Sequence, residues 1–113
     1  FTVGLSVVDN MGLGNAEAFG SVVARYPHIE RIVAGHVHWT MQRRFYGALA
    51  MTCSPTDHLL LPDFQRPTQL AVMMQPPSCY LHIWSETTGL ITYTSIIGDY
   101  GTPKLLHDGS NWV

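Results

Sequence analysis

The stretch Val33-Ala34-Gly35-His36-Val37-His38 is the most informative feature of this chain. A short strand containing a β-branched residue ends at the glycine, and two histidines follow with one residue between them. In an extended backbone, the side chains of residues i and i+2 point to the same side, about 7 Å apart. Two such imidazoles are able to hold one metal ion, or one ion each of a pair about 3.5–4 Å apart, as in two-metal hydrolytic sites. Two histidines also fall close together on a loop by chance, so this spacing alone leaves both interpretations open.

The residues before this stretch predict one helix and one buried strand. Asn15 is a suitable N-cap residue, and Glu17 puts a carboxylate in the first turn. Apolar residues then recur at helical spacing over about three turns, until Pro27 stops the helix. Residues 31–34 follow as a short buried strand. A strand whose carboxyl end carries polar ligands is typical of α/β folds.

The residues after the histidines predict a strand-rich remainder with two hairpins, one around Gly47 and one that turns before Gly89. The expected strands are residues 41–46, 49–53, 69–74, 80–85 and 90–97. The expected irregular segments are residues 1–14, 54–69 and the tail from residue 98. Because one helix cannot cover both faces of so much sheet, we expect further elements to pack on one face.

The composition is that of a globular domain with little charge. The chain has 113 residues, of which 46% are hydrophobic and 12% are charged, with a net charge of −2. This charged fraction is well below the usual quarter, so we expect further protein to cover part of the surface. The basic residues are scattered, which argues against a nucleic-acid polymer or a membrane surface as partner. No apolar stretch approaches the ~20 residues of a membrane span.

The chain has two cysteines, Cys53 and Cys79. In a chain without a secretory signal, a single pair favours buried, reduced thiols and hence a cytoplasmic location. An intermolecular bridge is the alternative.

The order of these features resembles the C-terminal part of a calcineurin-like metallophosphoesterase, in the subgroup of class III cyclic-nucleotide phosphodiesterases and glycerophosphodiesterases. The residues that carry the resemblance are Asp9-Asn10, the helix that ends before Pro27, the short strand and Gly35-His36-Val37-His38. Two further stretches are similar to this subgroup in residue type and in order along the chain, namely Met51-Thr52-Cys53-Ser54-Pro55-Thr56 and Tyr80-Leu81-His82-Ile83-Trp84. The resemblance therefore covers nearly the whole chain, with Gly-His-x-His as its sharp motif.

The resemblance implies an α/β fold in which this chain is the strand-rich C-terminal portion of a double β-sheet sandwich with outer helices. It also implies two divalent metal ions (iron, manganese or zinc), one bound by His36 and the other by His38. The family's Asp-x-His, Gly-Asp and Gly-Asn-His ligand blocks are absent from this sequence. We therefore expect residues 1–113 to be the C-terminal fragment of a single domain and to be inactive alone. Residues 1–53 would contain the histidine loop, and residues 54–113 the last strands with a dimerisation hairpin.

For the complete protein, the resemblance implies metal-dependent hydrolysis of a small phosphodiester, such as a cyclic nucleotide or a glycerophosphodiester. His36 and His38 would act as metal ligands, and no further catalytic residue or cofactor-binding residue is predicted. His58 is predicted to border the substrate pocket, with an ordinary surface histidine as the alternative. We expect a homodimer or higher homo-oligomer through the second hairpin, whose apolar residues would otherwise pack on the preceding part of the protein.

Two other classes of function remain open. One is a non-catalytic oligomerisation module, and the other is a mononuclear zinc protein in which His58 joins His36 and His38. The three hypotheses differ in metal content. The phosphodiesterase should bind two metal ions per chain, the oligomerisation module none and the zinc protein one.

Four further residues receive structural interpretations. Asp9 is expected to cap a turn, with the entrance to a site as the alternative. His82 is expected to pack or form a hydrogen bond on its strand. Met73 and Met74 are expected in the core or an interface.

Overall fold

The computed structural model describes residues 2–61, 63–66 and 68–113. These residues form two helices and seven strands, namely α1 Ser6–Asp9, α2 Ala16–Val23, β1 Arg31–Ala34, β2 Met41–Phe45, β3 Ala48–Thr52, β4 His58–Leu61, β5 Ala71–Met74, β6 Ser78–Ser85 and β7 Gly89–Ile96. The structure is thus strand-rich with few helices, and its first sheet is mixed, which is compatible with the expected class. Among the described residues, no helix has the length and apolar character needed to cross a bilayer.

The first sheet has the strand order β1-β3-β2, so β3 is its central strand. β1 runs parallel to β3, and β2 runs antiparallel to it. The turn between β2 and β3 consists of Tyr46 and Gly47, which have φ angles of 49° and 97°. Two residues with positive φ form the tight turn that matches the twist of an antiparallel pair. The hairpin predicted around Gly47 is therefore confirmed.

The central strand contains most of the buried residues of the sheet. Ala50 and Met51 are 0% and 2% exposed, and Thr52 is also buried. The neighbouring strands satisfy the backbone hydrogen bonds of β3 on both edges, so its apolar side chains are buried without unpaired peptide groups. The other buried apolar residues described are Val8, Val23, Ala48 and Leu59.

Helix α2 contacts the β2–β3 hairpin through an aromatic residue and a glycine. The ring of Phe19 stacks on Phe45 with 5.9 Å between centroids. Gly20 is buried, and a Cβ atom at this position would clash with the ring of Tyr46. The lack of a side chain at Gly20 therefore permits the close approach of helix and turn.

The predicted helix is confirmed in position, but its length and its cap differ from the expectation. Asn15 makes no capping hydrogen bond, because its ψ of 39° lies outside the extended region in which a side-chain oxygen reaches the first amides. At the other end, the amides of Arg25 and Tyr26 bond to carbonyls three residues earlier, at 3.1 and 3.0 Å. These tighter bonds end the α-helix at Val23, one turn before Pro27.

Two segments that were expected to be irregular have regular structure. α1 is a single turn, with the amide of Asp9 bonded to Leu5 at 2.8 Å. β4 lies within the predicted loop 54–69 and pairs antiparallel with β5, from His58 opposite Met74 to Leu61 opposite Ala71. The sequence of β4 is mostly leucine and has no alternating pattern, so its structure depends on pairing with a strand about ten residues away.

Strands β6 and β7 form the second predicted hairpin, with register from Ser78 opposite Ile96 to Ser85 opposite Gly89. The hairpin is joined to the rest of the chain by few polar contacts. The hydroxyl of Tyr80 donates to the carbonyl of Thr52 at 3.0 Å, and the amide of Leu90 donates to Glu30 Oε2 at 3.3 Å.

Several side chains are more exposed than the sequence suggested. Met73 and Met74 on β5 are exposed rather than part of a core. Cys53 is half-buried and Cys79 is exposed, and both are free thiols, so the expectation of two buried thiols is wrong for Cys79. Cys79 lies on β6, five of whose eight residues are exposed. The tail from residue 98 is exposed and irregular, as predicted, apart from a single bridge between His107 and Trp112.

Candidate metal centre

The loop after β1 contains His36 and His38 in left-handed backbone conformations, with φ angles of 79° and 50°. Residues other than glycine rarely adopt this region, and the cost is about 1–3 kcal/mol for each strained residue. The extended backbone assumed from the sequence is therefore wrong for these two residues. Strain of this kind persists where the surrounding structure enforces it, and it is concentrated at functional sites.

Hydrogen bonds fix the loop to the first sheet directly after His38. The hydroxyl of Thr52, which is buried on β3, donates to the carbonyl of Trp39 at 2.6 Å. The amide of Ser54 donates to Thr40 Oγ1 at 3.0 Å, and the two hydroxyls lie 2.8 Å apart. The backbone of the loop is thus held by the central strand and by the residues that follow it.

The imidazole of His38 is oriented by its Nδ1 atom, which lies 2.9 Å from the carbonyl oxygen of His58. A carbonyl oxygen accepts and does not donate, so the hydrogen is on Nδ1 and the lone pair of the neutral ring is on Nε2. Histidines that bind metals commonly donate their other ring N–H to a carbonyl or a carboxylate. His38 therefore has the tautomer and the support of a metal ligand.

His58 lies against His38, with 4.6 Å between the ring centroids. Its own Nδ1 atom is 2.9 Å from Asp57 Oδ2. The carboxylate fixes the hydrogen of His58 on Nδ1, which leaves Nε2 for another partner. Strand β4 brings this residue to the histidine loop from 20 positions further along the chain. The role of Asp57 was missed in the sequence, where the sole signal was its position beside His58.

His36 is exposed and lines a cavity of about 460 Å³ whose walls are mainly apolar. Asp9 also borders this cavity. Its carboxylate accepts hydrogen bonds from the amides of Val3 and Gly4 at 2.7 and 3.0 Å. The expectation that Asp9 caps a turn is confirmed, and the residue lies beside the cavity as well.

The three remaining histidines lie outside this loop and have structural contacts. His82 Nδ1 is 2.9 Å from Thr92 Oγ1 on the neighbouring strand, which confirms the interpretation of a hydrogen-bonded strand residue. His28 contacts the ring of Tyr26 edge-on, and His107 contacts Trp112 in the same way.

The donor set fits part of a metal shell. Imidazole suits iron, zinc and related ions, and His38 is held in the tautomer that binds them. Within residues 2–61, 63–66 and 68–113, no three histidine, cysteine, aspartate or glutamate side chains come together as a metal-binding group. Because zinc sites in proteins use at least three protein ligands, these residues supply a share of such a shell and not all of it.

The sequence is similar to the probable glycerophosphodiester phosphodiesterase GpdQ of Arcobacter nitrofigilis, with 29% identity over 96 residues. The matched region covers 85% of this chain and 35% of that protein. No family model matches the chain. The chain therefore spans about a third of the length of this curated relative, and the similarity relates it to a phosphodiesterase over that part.

Proposed function

We propose that this chain is the histidine-bearing part of a metal-dependent phosphodiesterase that hydrolyses small phosphodiesters, either glycerophosphodiesters or cyclic nucleotides. In this proposal His36 and His38 each bind one of two divalent ions of iron, manganese or zinc. The observation that carries the proposal is the bond between His38 Nδ1 and the carbonyl of His58, which leaves Nε2 available to a metal. The related phosphodiesterase supports the class of reaction.

A bound pair of divalent ions would supply a water nucleophile that ionises near neutral pH, and would neutralise the charge of the diester. The residues of this chain hold the histidine loop in place and orient the imidazole rings. Thr52 fixes the loop through the Trp39 carbonyl, and His58 fixes the ring of His38. His58, with its Nδ1 donating to Asp57, keeps Nε2 as an acceptor for a hydroxyl group of the substrate.

The proposal requires ligands beyond this chain's histidines. The described part of the chain contains no group of three possible ligands, and two-metal centres use carboxylates as well as imidazoles. We propose that the other ligands come from a preceding portion of the complete protein, and that residues 1–113 are inactive alone. The matched region covers 35% of the relative, so most of that protein lies outside the similarity.

A mononuclear zinc site is the second candidate, and one contact favours it. The rings of His38 and His58 are 4.6 Å apart, and both have Nδ1 occupied by an oxygen partner. Two imidazoles in this state have the free Nε2 atoms that zinc requires. In this alternative, His58 joins His36 and His38 as a third ligand and is not a substrate contact.

Metal analysis of the full-length protein, combined with hydrolysis of a bis-aryl phosphate, separates these functions. We expect two ions per chain in the wild type, and the loss of one ion with at least about 100-fold lower turnover in His38→Ala. His58→Ala should keep both ions and lower turnover, whereas His82→Ala is the matched control and should change neither.

Each other result contradicts a specific part of the proposal. One ion in the wild type that is lost in His58→Ala supports the zinc protein. No ion in the wild type rejects both metal sites and supports a non-catalytic oligomerisation module. Unchanged metal content and turnover in His38→Ala refutes the role of that residue.

We also propose that the β6–β7 hairpin mediates a homodimer or a higher homo-oligomer. Leu81, Trp84 and Tyr93 are 53%, 60% and 52% exposed. Large apolar side chains on an uncovered two-stranded sheet favour association with another surface, because their burial removes apolar area from water.

A further inference from the structure

A second cleft lies between the first sheet and the β6–β7 hairpin, and it shares no lining residue with the cavity beside His36. Its volume is about 300 Å³. The polar residues that line it are Arg31, Gln42, Tyr80, Thr92 and Thr94. No aspartate or glutamate is among the residues that line the cleft. The cleft therefore combines one permanent positive charge with uncharged polar groups.

Arg31 has fewer hydrogen-bond acceptors than its guanidinium group can use. Nη1 donates to the carbonyl of Glu30 at 3.2 Å, and Nη2 reaches the carbonyl of Leu90 at 3.5 Å, the limit of a hydrogen bond. Nε is buried and has no partner. A guanidinium has five N–H donors, so most of those of Arg31 have no protein acceptor among the described residues. A buried donor without an acceptor is destabilising, which favours a small movement of Arg31 that would bond Nε to an acceptor in the cleft.

The charge of Arg31 is also unpaired. In the described parts of the chain, Asp63 forms an ion pair with Arg66, and Asp57 forms a hydrogen bond with His58. Glu30, the neighbour of Arg31 in sequence, directs its carboxylate to the amide of Leu90 instead. Glu30 therefore lies at the edge of the cleft without forming an ion pair with Arg31 in the described structure, and the guanidinium charge is available to an anion from solution.

Two further polar groups at the cleft are exposed and have no protein partner among the described residues. Neither the Gln42 side chain on β2 nor the Thr94 hydroxyl on β7 has a hydrogen bond within the described residues. Thr92 and Tyr80 are already engaged, the first with His82 and the second with the Thr52 carbonyl. Arg31, Gln42 and Thr94 therefore bring three sets of free donors to one cleft from the three strands β1, β2 and β7.

We propose that this cleft binds a phosphate-type oxyanion, either inorganic phosphate or a phosphomonoester, with Arg31 as its charged anchor. The planar fork of a guanidinium matches two oxygens of a phosphate, and hydroxyl and amide groups donate to the others. The cleft volume also leaves room for the organic part of a small monoester. This site is separate from the proposed metal centre and does not depend on it.

The test is a titration of the full-length protein, treated with a chelator to remove metals, with inorganic phosphate. Binding is followed by calorimetry and by the side-chain NMR signal of Arg31 Nε–H. We expect saturable binding and a shift of that signal. Arg31→Met should weaken phosphate binding by at least about tenfold, the effect of losing a charge-assisted hydrogen bond. Arg44→Met removes the same charge from exposed β2 and should leave binding unchanged.

Further titrations distinguish the sources of the anion. Glycerol phosphate that binds more tightly than inorganic phosphate assigns the site to a monoester, and the reverse order assigns it to the free ion. Acetate binding as tight as phosphate would overturn the proposal, as would equal effects of Arg31→Met and Arg44→Met. If Arg31→Met fails to fold, the wild-type NMR titration decides, because an unmoved Arg31 signal at saturating phosphate contradicts the site.

Discussion

The three-stranded sheet and the β6–β7 hairpin contain similarly apolar strands, but their side chains are covered very differently. In the sheet, Met51 on β3 is 2% exposed, whereas Leu81 on β6 is 53% exposed. The sheet has a third strand on its edge, and helix α2 packs on its turn. The hairpin is a two-stranded sheet, and such pairs are marginally stable without further packing. Apolar composition alone therefore does not determine burial.

This difference is relevant to function. The histidine loop is joined to the covered sheet through Thr52, so its strained backbone is held by a packed core. The hairpin contributes a surface instead, with apolar residues available for association and one side of the cleft beside Arg31.

The largest expected effect concerns the buried central strand of the three-stranded sheet. Met51→Ala should lower the free energy of unfolding by about 2–5 kcal/mol, because it leaves a cavity in the central strand. Urea denaturation measures this change. The matched variant Leu81→Ala on the hairpin should change the free energy of unfolding by less than about 0.5 kcal/mol and weaken self-association in sedimentation experiments. Equal destabilisation by both variants would contradict the difference in burial.

A smaller effect concerns the bond that joins the two regions. Tyr80→Phe removes the hydrogen bond from Tyr80 to the Thr52 carbonyl and should lower the free energy of unfolding by about 1 kcal/mol. The matched control is Tyr93→Phe on the exposed face of β7, for which we expect no change.

The same tyrosine gives the protein a dependence on alkaline pH. Burial raises the pKa of Tyr80 above its ordinary value of about 10. The folded chain therefore keeps this proton at pH values at which the unfolded chain releases it, so stability should fall as pH rises above about 10. Tyr80→Phe should reduce that fall, and an unchanged slope between pH 9 and pH 11 would argue against the contribution of this group.

The smallest expected effect concerns backbone strain in the histidine loop, next to the three-stranded sheet. His36 has a φ of 79° and is exposed, so His36→Gly should raise the free energy of unfolding by about 0.5–1 kcal/mol. Val37→Gly is the control. Because Val37 is not among the residues with positive φ, this substitution should lower the free energy of unfolding. Loss of stability in His36→Gly would show that the left-handed conformation is not strained.

The sequence by itself determined the local features of this protein. Gly47 predicted the first hairpin, the alternating residues 80–85 and 90–97 predicted the second, and Gly35-His36-Val37-His38 predicted a histidine loop after a strand. Each of these depends on the backbone preference or side-chain spacing of a few neighbouring residues. The resemblance that they support is consistent with the related phosphodiesterase.

The tertiary structure decided which distant residues meet. It formed β4 from a leucine segment without a strand pattern, and it brought His58 and Asp57 to His38. It also placed the Nη2 of Arg31 beside Leu90, 59 residues further along. Such contacts depend on strand pairing and packing between segments far apart in the chain. Local propensity carries no information about them, because the free energy that forms them comes from the whole fold.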